Sequence, residues 1–277
     1  MVQGFQIIDA HCHVYPDKIA EKAADNTGVF YHVGHEMDGK VGTLAVHAKQ
    51  CGIDHCVIQS VATTPAQVRS INEFIARTVA ADPRHFTGLG TLHPDSNHQR
   101  GDVEHLVALG LHGVKLHPEI QRFALDEPRS LEIFALCEEF GLPLLLHTGD
   151  KRYDCSNPNR LIPVLERFPR LTVIGAHLGG WSIWEEAAHA LQGIPNLWFD
   201  CSSTFAWLDP QIARDLILLL GTDRVLFGTD YPMWTPAKEL ATFLSLDFTQ
   251  EQRLQILAEN AKRVFRITVL AEGGEPA

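Results

Sequence analysis

The chain has 277 residues, 45% of them hydrophobic, which is enough to bury one large core; barrel folds of this size commonly stay undivided, so one domain over residues 1–277 is expected. A formal net charge of −11 offers no basic face for neutralising phosphates, which excludes nucleic acid as a partner. No apolar stretch has the length of a membrane span, the first strand starts too near Met1 for a signal peptide, and the six cysteines are scattered like reduced thiols, so a cytoplasmic protein is expected.

Short apolar runs predict strands near residues 5–13, 54–61, 85–92, 111–117, 142–148, 171–177, 196–202 and 223–230. Patterns of helical period predict helices near 40–51, 65–81, 98–110, 128–140, 158–168, 181–192 and 209–220, with a final pair near 236–245 and 249–264. Gly52 and Gly141 stand where two of these helices would end in a left-handed cap. Eight strand–helix units predict an α/β fold, the (β/α)8 TIM barrel. The exception is residues 14–39, a long connection after the first strand, expected as a lid or binding loop at the barrel mouth.

The first strand ends in His11-Cys12-His13. Side chains of a strand alternate, so the two imidazoles share a face, as a pair of ligands to one metal ion must. Asp9 is expected on the same face, one step deeper, orienting them. Later apolar runs repeat the design, ending in His147, His177 and Asp230. A parallel barrel gathers strand ends at one rim, where catalytic groups of this fold sit, and His93, Lys115, His117, Asp200 and Ser202 would join them. Arg122, just past the fourth strand, is a candidate carboxylate clamp.

Five motifs, I-D-A-H-C-H, G-V-K-L-H-P, L-L-L-H-T-G, A-H-L-G-G and G-T-D-Y-P, run through the chain between Asp9 and about Phe265. In them the chain resembles the amidohydrolase superfamily of metal-dependent TIM-barrel enzymes, in the branch that includes aminocarboxymuconate semialdehyde decarboxylase. The resemblance implies that His11, His13, His147 and Asp230 hold one divalent ion, Zn²⁺ or another such as Mn²⁺. It implies that His177 is a further ligand or a proton-transfer group. Some members of the superfamily carbamylate a lysine at the position of Lys115 to bridge two metals; substrate binding by Lys115, with His117 and Arg122, is the expectation here, because a buried ammonium needs an anionic partner.

The expected reaction is hydrolysis of a small carboxylate-bearing lactone or amide by a metal-activated water, with Asp230 as general base and His177 holding the water or the developing oxyanion. The alternative is nonoxidative decarboxylation of an aromatic or semialdehyde carboxylate on the same site. A non-enzymatic binding protein is disfavoured because no position of the ligand set has been lost. Expected partners are a small-molecule substrate, without nucleic acid or membrane, and a homodimer stays open.

Overall fold

Runs of Val, Ile and Leu that bury both faces make parallel strands in a sheet covered by helices. The structure, a computed structural model, describes residues 4–268, so the expected span 1–277 reaches beyond it at both ends. The strands are β1 (Ile8–His13), β2 (His55–Gln59), β3 (Phe86–Gly88), β4 (Gly90–Thr91), β5 (Val114–Leu116), β6 (Leu144–Leu146), β7 (Val173–Gly175), β8 (Leu197–Asp200) and β9 (Val225–Leu226). They pair in parallel in chain order, and β3 and β4 are the two halves of one predicted run, separated only by Leu89. The ring closes where Ala10 N–H donates to Phe227 O at 2.9 Å and His13 N–H to Tyr231 O at 2.7 Å. The result is the predicted TIM barrel.

Alternation along each strand divides the core in two. Ile8, Ala10, Val57, Leu89, Leu145, Ile174, Trp198 and Leu226 fill the barrel interior, floored by Ala258, Ala261 and Phe265 of the last helical run. Their neighbours Ile58, Leu144, Leu146, Val173 and Phe199 face outward into the layer beneath the helices. The helices most relevant to the site are α1 (Ala20–Tyr31), α2 (Val41–Cys51), α3 (Val68–Ala81), α4 (Gln99–Ala108), α5 (Pro118–Gln121), α6 (Pro128–Phe140), α7 (Pro158–Arg167), α8 (Trp184–Leu191), α9 (Pro210–Leu220) and α10 (Pro236–Ser245). Gly52 and Gly141 do terminate α2 and α6 in the left-handed region, at φ 78° and 63°. Among the described residues no helix is long and apolar enough to cross a membrane, and all six cysteines are unbridged.

Two expectations are corrected. Residues 14–39 are not an irregular loop, because α1 occupies half of them. Its buried side is Ala20, Ala24 and Gly28, small residues that let the helix lie close to its support but give no apolar period to read. At Gly28 a Cβ would stand 2.6 Å from Val33 O, so the close turn requires the missing side chain. The second correction concerns β1. Asp9 pairs with Cys56 and Cys12 with Ile58, three residues against two, so β1 carries one extra residue. Ala10 therefore faces the interior while Cys12 faces outward, and the phase change turns His11 and His13 toward the mouth of the barrel. Asp9 is not on their face. Its carboxylate accepts Thr229 Oγ1–H at 2.6 Å and Thr229 N–H at 3.0 Å, stitching β1 to the segment after β9.

Glu239 on α10 is 1% exposed, and neither carboxylate oxygen has a hydrogen-bond partner among the described residues. Burial pushes its carboxyl up to about 8, and Lys238 offsets this only in part. A carboxyl raised in the folded state binds more protons folded than unfolded, so its contribution is lost as pH rises from about 4.5 through about 8. Glu239→Gln should accordingly stabilise the protein by about 2–4 kcal/mol at pH 8 and by little near pH 4.5. Thermal melts of both proteins across that range check the sign; an equal effect at both ends would refute it.

Candidate metal centre

The C-terminal ends of the strands meet in a cavity of about 860 Å³. β1 supplies His11 and His13, β5 supplies Lys115 with His117 just beyond it, and His147, His177 and Asp230 follow β6, β7 and β9. Of the expected rim residues Arg122 and His93 stay away from the cavity. Arg122 is exposed at the left-handed end of α5, where its backbone carbonyl accepts Arg129 Nη2–H at 2.7 Å. His93 is buried but does not line the cavity; its Nδ1 accepts Asp95 N–H at 3.2 Å.

Three donor atoms converge. His11 Nε2 is 3.1 Å from His13 Nε2 and 3.4 Å from Asp230 Oδ1, and His13 Nε2 is 3.7 Å from that oxygen. These separations are those of ligands around one ion with bonds of about 2.1 Å. The proton on His11 is placed by its other nitrogen, since Nδ1 donates to Asp200 Oδ2 at 2.8 Å and Nε2 is left with a lone pair. Asp200 itself accepts Ser202 N–H and Ser202 Oγ–H. Burial alone would raise the Asp200 carboxyl; the His11 imidazole, by charge and hydrogen bond, together with His177 and Ser202, outweighs it and holds the group well below the usual carboxylate range. Two imidazoles and one carboxylate, with an anionic orienter behind, fit a divalent cation.

His147 is outside this cluster. The backbone at each end of a hydrogen-bonded chain decides where its protons lie. Ile120 N–H donates to His117 Nδ1 at 3.3 Å, so neutral His117 carries its proton on Nε2 and donates it to Tyr31 Oη at 2.7 Å. Tyr31 O–H then donates to His147 Nε2 at 3.1 Å, and His147 Nδ1–H to His177 Nε2 at 3.1 Å. His177 ends the chain by donating Nδ1–H to Ser202 O at 2.9 Å. Five links agree in direction.

Burial lowers the pKa of His13, His117 and His147 well below that of free imidazole, and mutual repulsion with Lys115 and the other histidines adds to it. Lys115, 1% exposed, is lowered to about 8 by burial although Asp200, Asp230 and Glu119 favour its charge; its Nζ donates to His11 Nε2 at 3.2 Å. Glu119 stands behind His117, its carboxyl pushed up to about 8 by burial. Sequence reasoning assigned no role to Tyr31, Glu119 or Asp200. Asp200 left a signal as an acid at a strand end and Tyr31 as part of the connection expected over the mouth, whereas Glu119 left none.

The amidohydrolase family model matches residues 8–267. The chain belongs to this family. Among curated amidohydrolase relatives, the 2-amino-3-carboxymuconate-6-semialdehyde decarboxylase of Dictyostelium discoideum is 22% identical, the match covering 93% of this chain and 84% of the relative. An uncharacterised TIM-barrel protein from Bordetella bronchiseptica superposes with a TM-score of 0.77 at 22% identity, over 95% of this chain and 99% of the other. The 5-carboxyvanillate decarboxylase of Sphingomonas paucimobilis does so at 0.73 and 19%, over 96% and 100%. The same enzyme of Novosphingobium aromaticivorans, solved with manganese and 4-hydroxy-3-methoxy-5-nitrobenzoic acid, gives 0.71 and 16%, over 96% and 97%. The three relatives above whose reaction is named are decarboxylases, and this overturns the expectation of hydrolysis. It also leaves zinc without preference over manganese.

Replacing Asp200 with Ala removes the acceptor that fixes the His11 tautomer. Metal affinity should fall about 10- to 100-fold. Titration against a competing chelator measures this, and unchanged affinity would show that Asp200 does not orient the ligand.

Proposed function

We propose that the protein is a metal-dependent nonoxidative decarboxylase of a small aromatic or semialdehyde carboxylate. The observation that carries the reading is the charge of the cavity floor. Among the described residues Asp230 is the one carboxylate in the wall, set with two imidazole donors for a cation and facing a buried ammonium, so the floor is built to receive an anion. The decarboxylases among its relatives support the reaction type.

His11, His13 and Asp230 would hold one zinc or manganese ion per chain, with His147 as fourth donor once Tyr31 releases its Nε2. Bound there, the ion would neutralise charge on the substrate carboxylate and a neighbouring oxygen. Lys115 adds a positive charge at the same end, and His117, beside it, contributes an N–H when Tyr31 withdraws. Arg122 has no place in this scheme. In the reaction the carbon–carboxylate bond breaks, carbon dioxide leaves, and the electron pair stays on carbon until a proton arrives. Asp230 and His177 are the two wall groups suited to bring it. Ser203 Oγ–H, at 2.5 Å from Asp230 Oδ2, fixes that carboxylate, and the Nδ1–H of His177 is tied to Ser202 O, so a second proton would stand on Nε2 and displace the hydrogen bond from His147 Nδ1–H. Trp181, which lines the cavity beside the imidazoles, would keep water from the carbanion-like carbon.

Turnover of a panel of aromatic and semialdehyde carboxylates in deuterated, heavy-oxygen water tests the reaction. Carbon dioxide release with deuterium on carbon and no labelled oxygen in the organic product is expected; labelled oxygen in that product would sink the proposal. A second expectation concerns Lys115. Lys115→Met should raise KM about 10- to 100-fold, the loss of one charge-assisted contact, and leave a folded barrel. A normal KM with collapsed kcat would instead give Lys115 a role in the chemical step.

A further inference from the structure

The cavity is far larger than the reaction centre needs. Taking about 30 Å³ per water-sized unit, 860 Å³ has room for roughly thirty non-hydrogen atoms, about three times a single-ring aromatic acid. The excess lies away from the imidazoles, in a trough between α1 and α3. Ile19, Ala23 and Phe30 come from one side of the first helix and its cap, Ile71 and Phe74 from one face of the second, at the spacings that put residues on a common helix face. The opposite side of α1, Ala20, Ala24 and Gly28, makes its packing contacts. The two lining faces thus oppose each other across open space. Closely packed interiors do not leave apolar walls apart in this way unless something else fills the gap.

The charges are as uneven as the walls. The charged side chains lining the trough are Lys22 and Arg77, both exposed. Lys22 has no ion-pair partner among the described residues, and Arg77 meets Glu73 only at 3.7 Å. Asp230, the single carboxylate lining the cavity among the described residues, belongs to the metal end. From Lys22 to Tyr31, which touches the imidazoles, α1 runs about 14 Å.

We infer that the substrate is an elongated dianion, a carboxylate head carrying a long apolar arm that lies between α1 and α3 and ends in a second anionic group at Lys22 and Arg77. The inference rests on the decarboxylase reading for the head group alone. Each methylene buried in the trough should tighten binding about threefold to fourfold, and the terminal charge should add a salt-sensitive gain.

Calorimetry of the full chain loaded with zinc tests this without turnover, using benzoic acids with para-alkyl chains of increasing length, with and without a terminal carboxylate. The dissociation constant should fall with each carbon until the trough is full, and the slope should flatten in Ala23→Trp, which fills it. The gain from the terminal carboxylate should vanish in Lys22→Glu/Arg77→Glu. A constant affinity along the wild-type series would overturn the inference, as would a slope indifferent to Ala23→Trp. The two readings fail separately: a slope without carbon dioxide from any acid removes decarboxylation and keeps the trough, whereas carbon dioxide from single-ring acids with no slope removes the trough alone.

Discussion

The site depends on one extra residue in β1. With Ile8 and Ala10 filling the barrel interior, strict alternation would send His11 and His13 outward into the helix layer, where no ion could join them. The register shift between Asp9 and Cys12 reverses the phase, and the buried Asp9 carboxylate, accepting from Thr229 and from His11 N–H, pins that shift where the ring of strands closes. Burial raises the Asp9 carboxyl against the pull of these hydrogen bonds. An apolar residue would pack there more cheaply but would leave the closing segment without its acceptor.

Once the imidazoles face inward, the backbone sorts their protons. An N–H at Ile120 and a carbonyl at Ser202 bracket the chain through His117, Tyr31, His147 and His177, and each can be satisfied in one direction only. Burial and mutual repulsion favour neutral rings. Neutral rings keep the lone pairs that a cation's imidazole ligands need, and the buried Lys115 beside them favours an anionic substrate. The arrangement therefore stores binding capacity in side chains that have nowhere else to discharge it.

The barrel was legible because its signal repeats: eight buried apolar runs with helical patterns between them leave few alternatives, and the rim residues stood at their ends. The β1 bulge was not, because a pattern of period two carries no mark of a single inserted residue, and the same reasoning that correctly joined His11 to His13 wrongly joined Asp9 to both. α1 was missed because its packing side is Ala and Gly. Arg122 was a candidate by type and proximity in sequence, yet a positive φ of 60° at the end of α5 carries it outward. The reaction was misread for a chemical reason. A wall of imidazoles, a carboxylate and a lysine can serve an attacking water or a departing carboxyl group equally well, and residue types do not say which one the floor accommodates.

Helix α1 closes the floor from the side of the cavity mouth. The C-terminal end of α1 is held by Arg152, whose Nη1–H donates to Phe30 O at 2.7 Å while its guanidinium lies over the rings of Phe30, Tyr31, Tyr153 and Trp181, with Asp150 fixing it from behind. Each such cation–ring contact contributes about 0.5–1 kcal/mol at a half-open site, and a backbone hydrogen bond about as much again. The packing side of α1 is two alanines and a glycine, so the body of the helix contributes little apolar burial beside these contacts. The rings of Phe30 and Tyr31 also pack on Tyr153, Trp181 and the imidazoles of His117 and His147, so the end of α1 nearest the site is held by an aromatic seam as well as by polar contacts. The Tyr31 hydroxyl thus occupies the His147 Nε2 lone pair while the ring stack holds Tyr31, so α1 and the imidazole cluster fix one another's position.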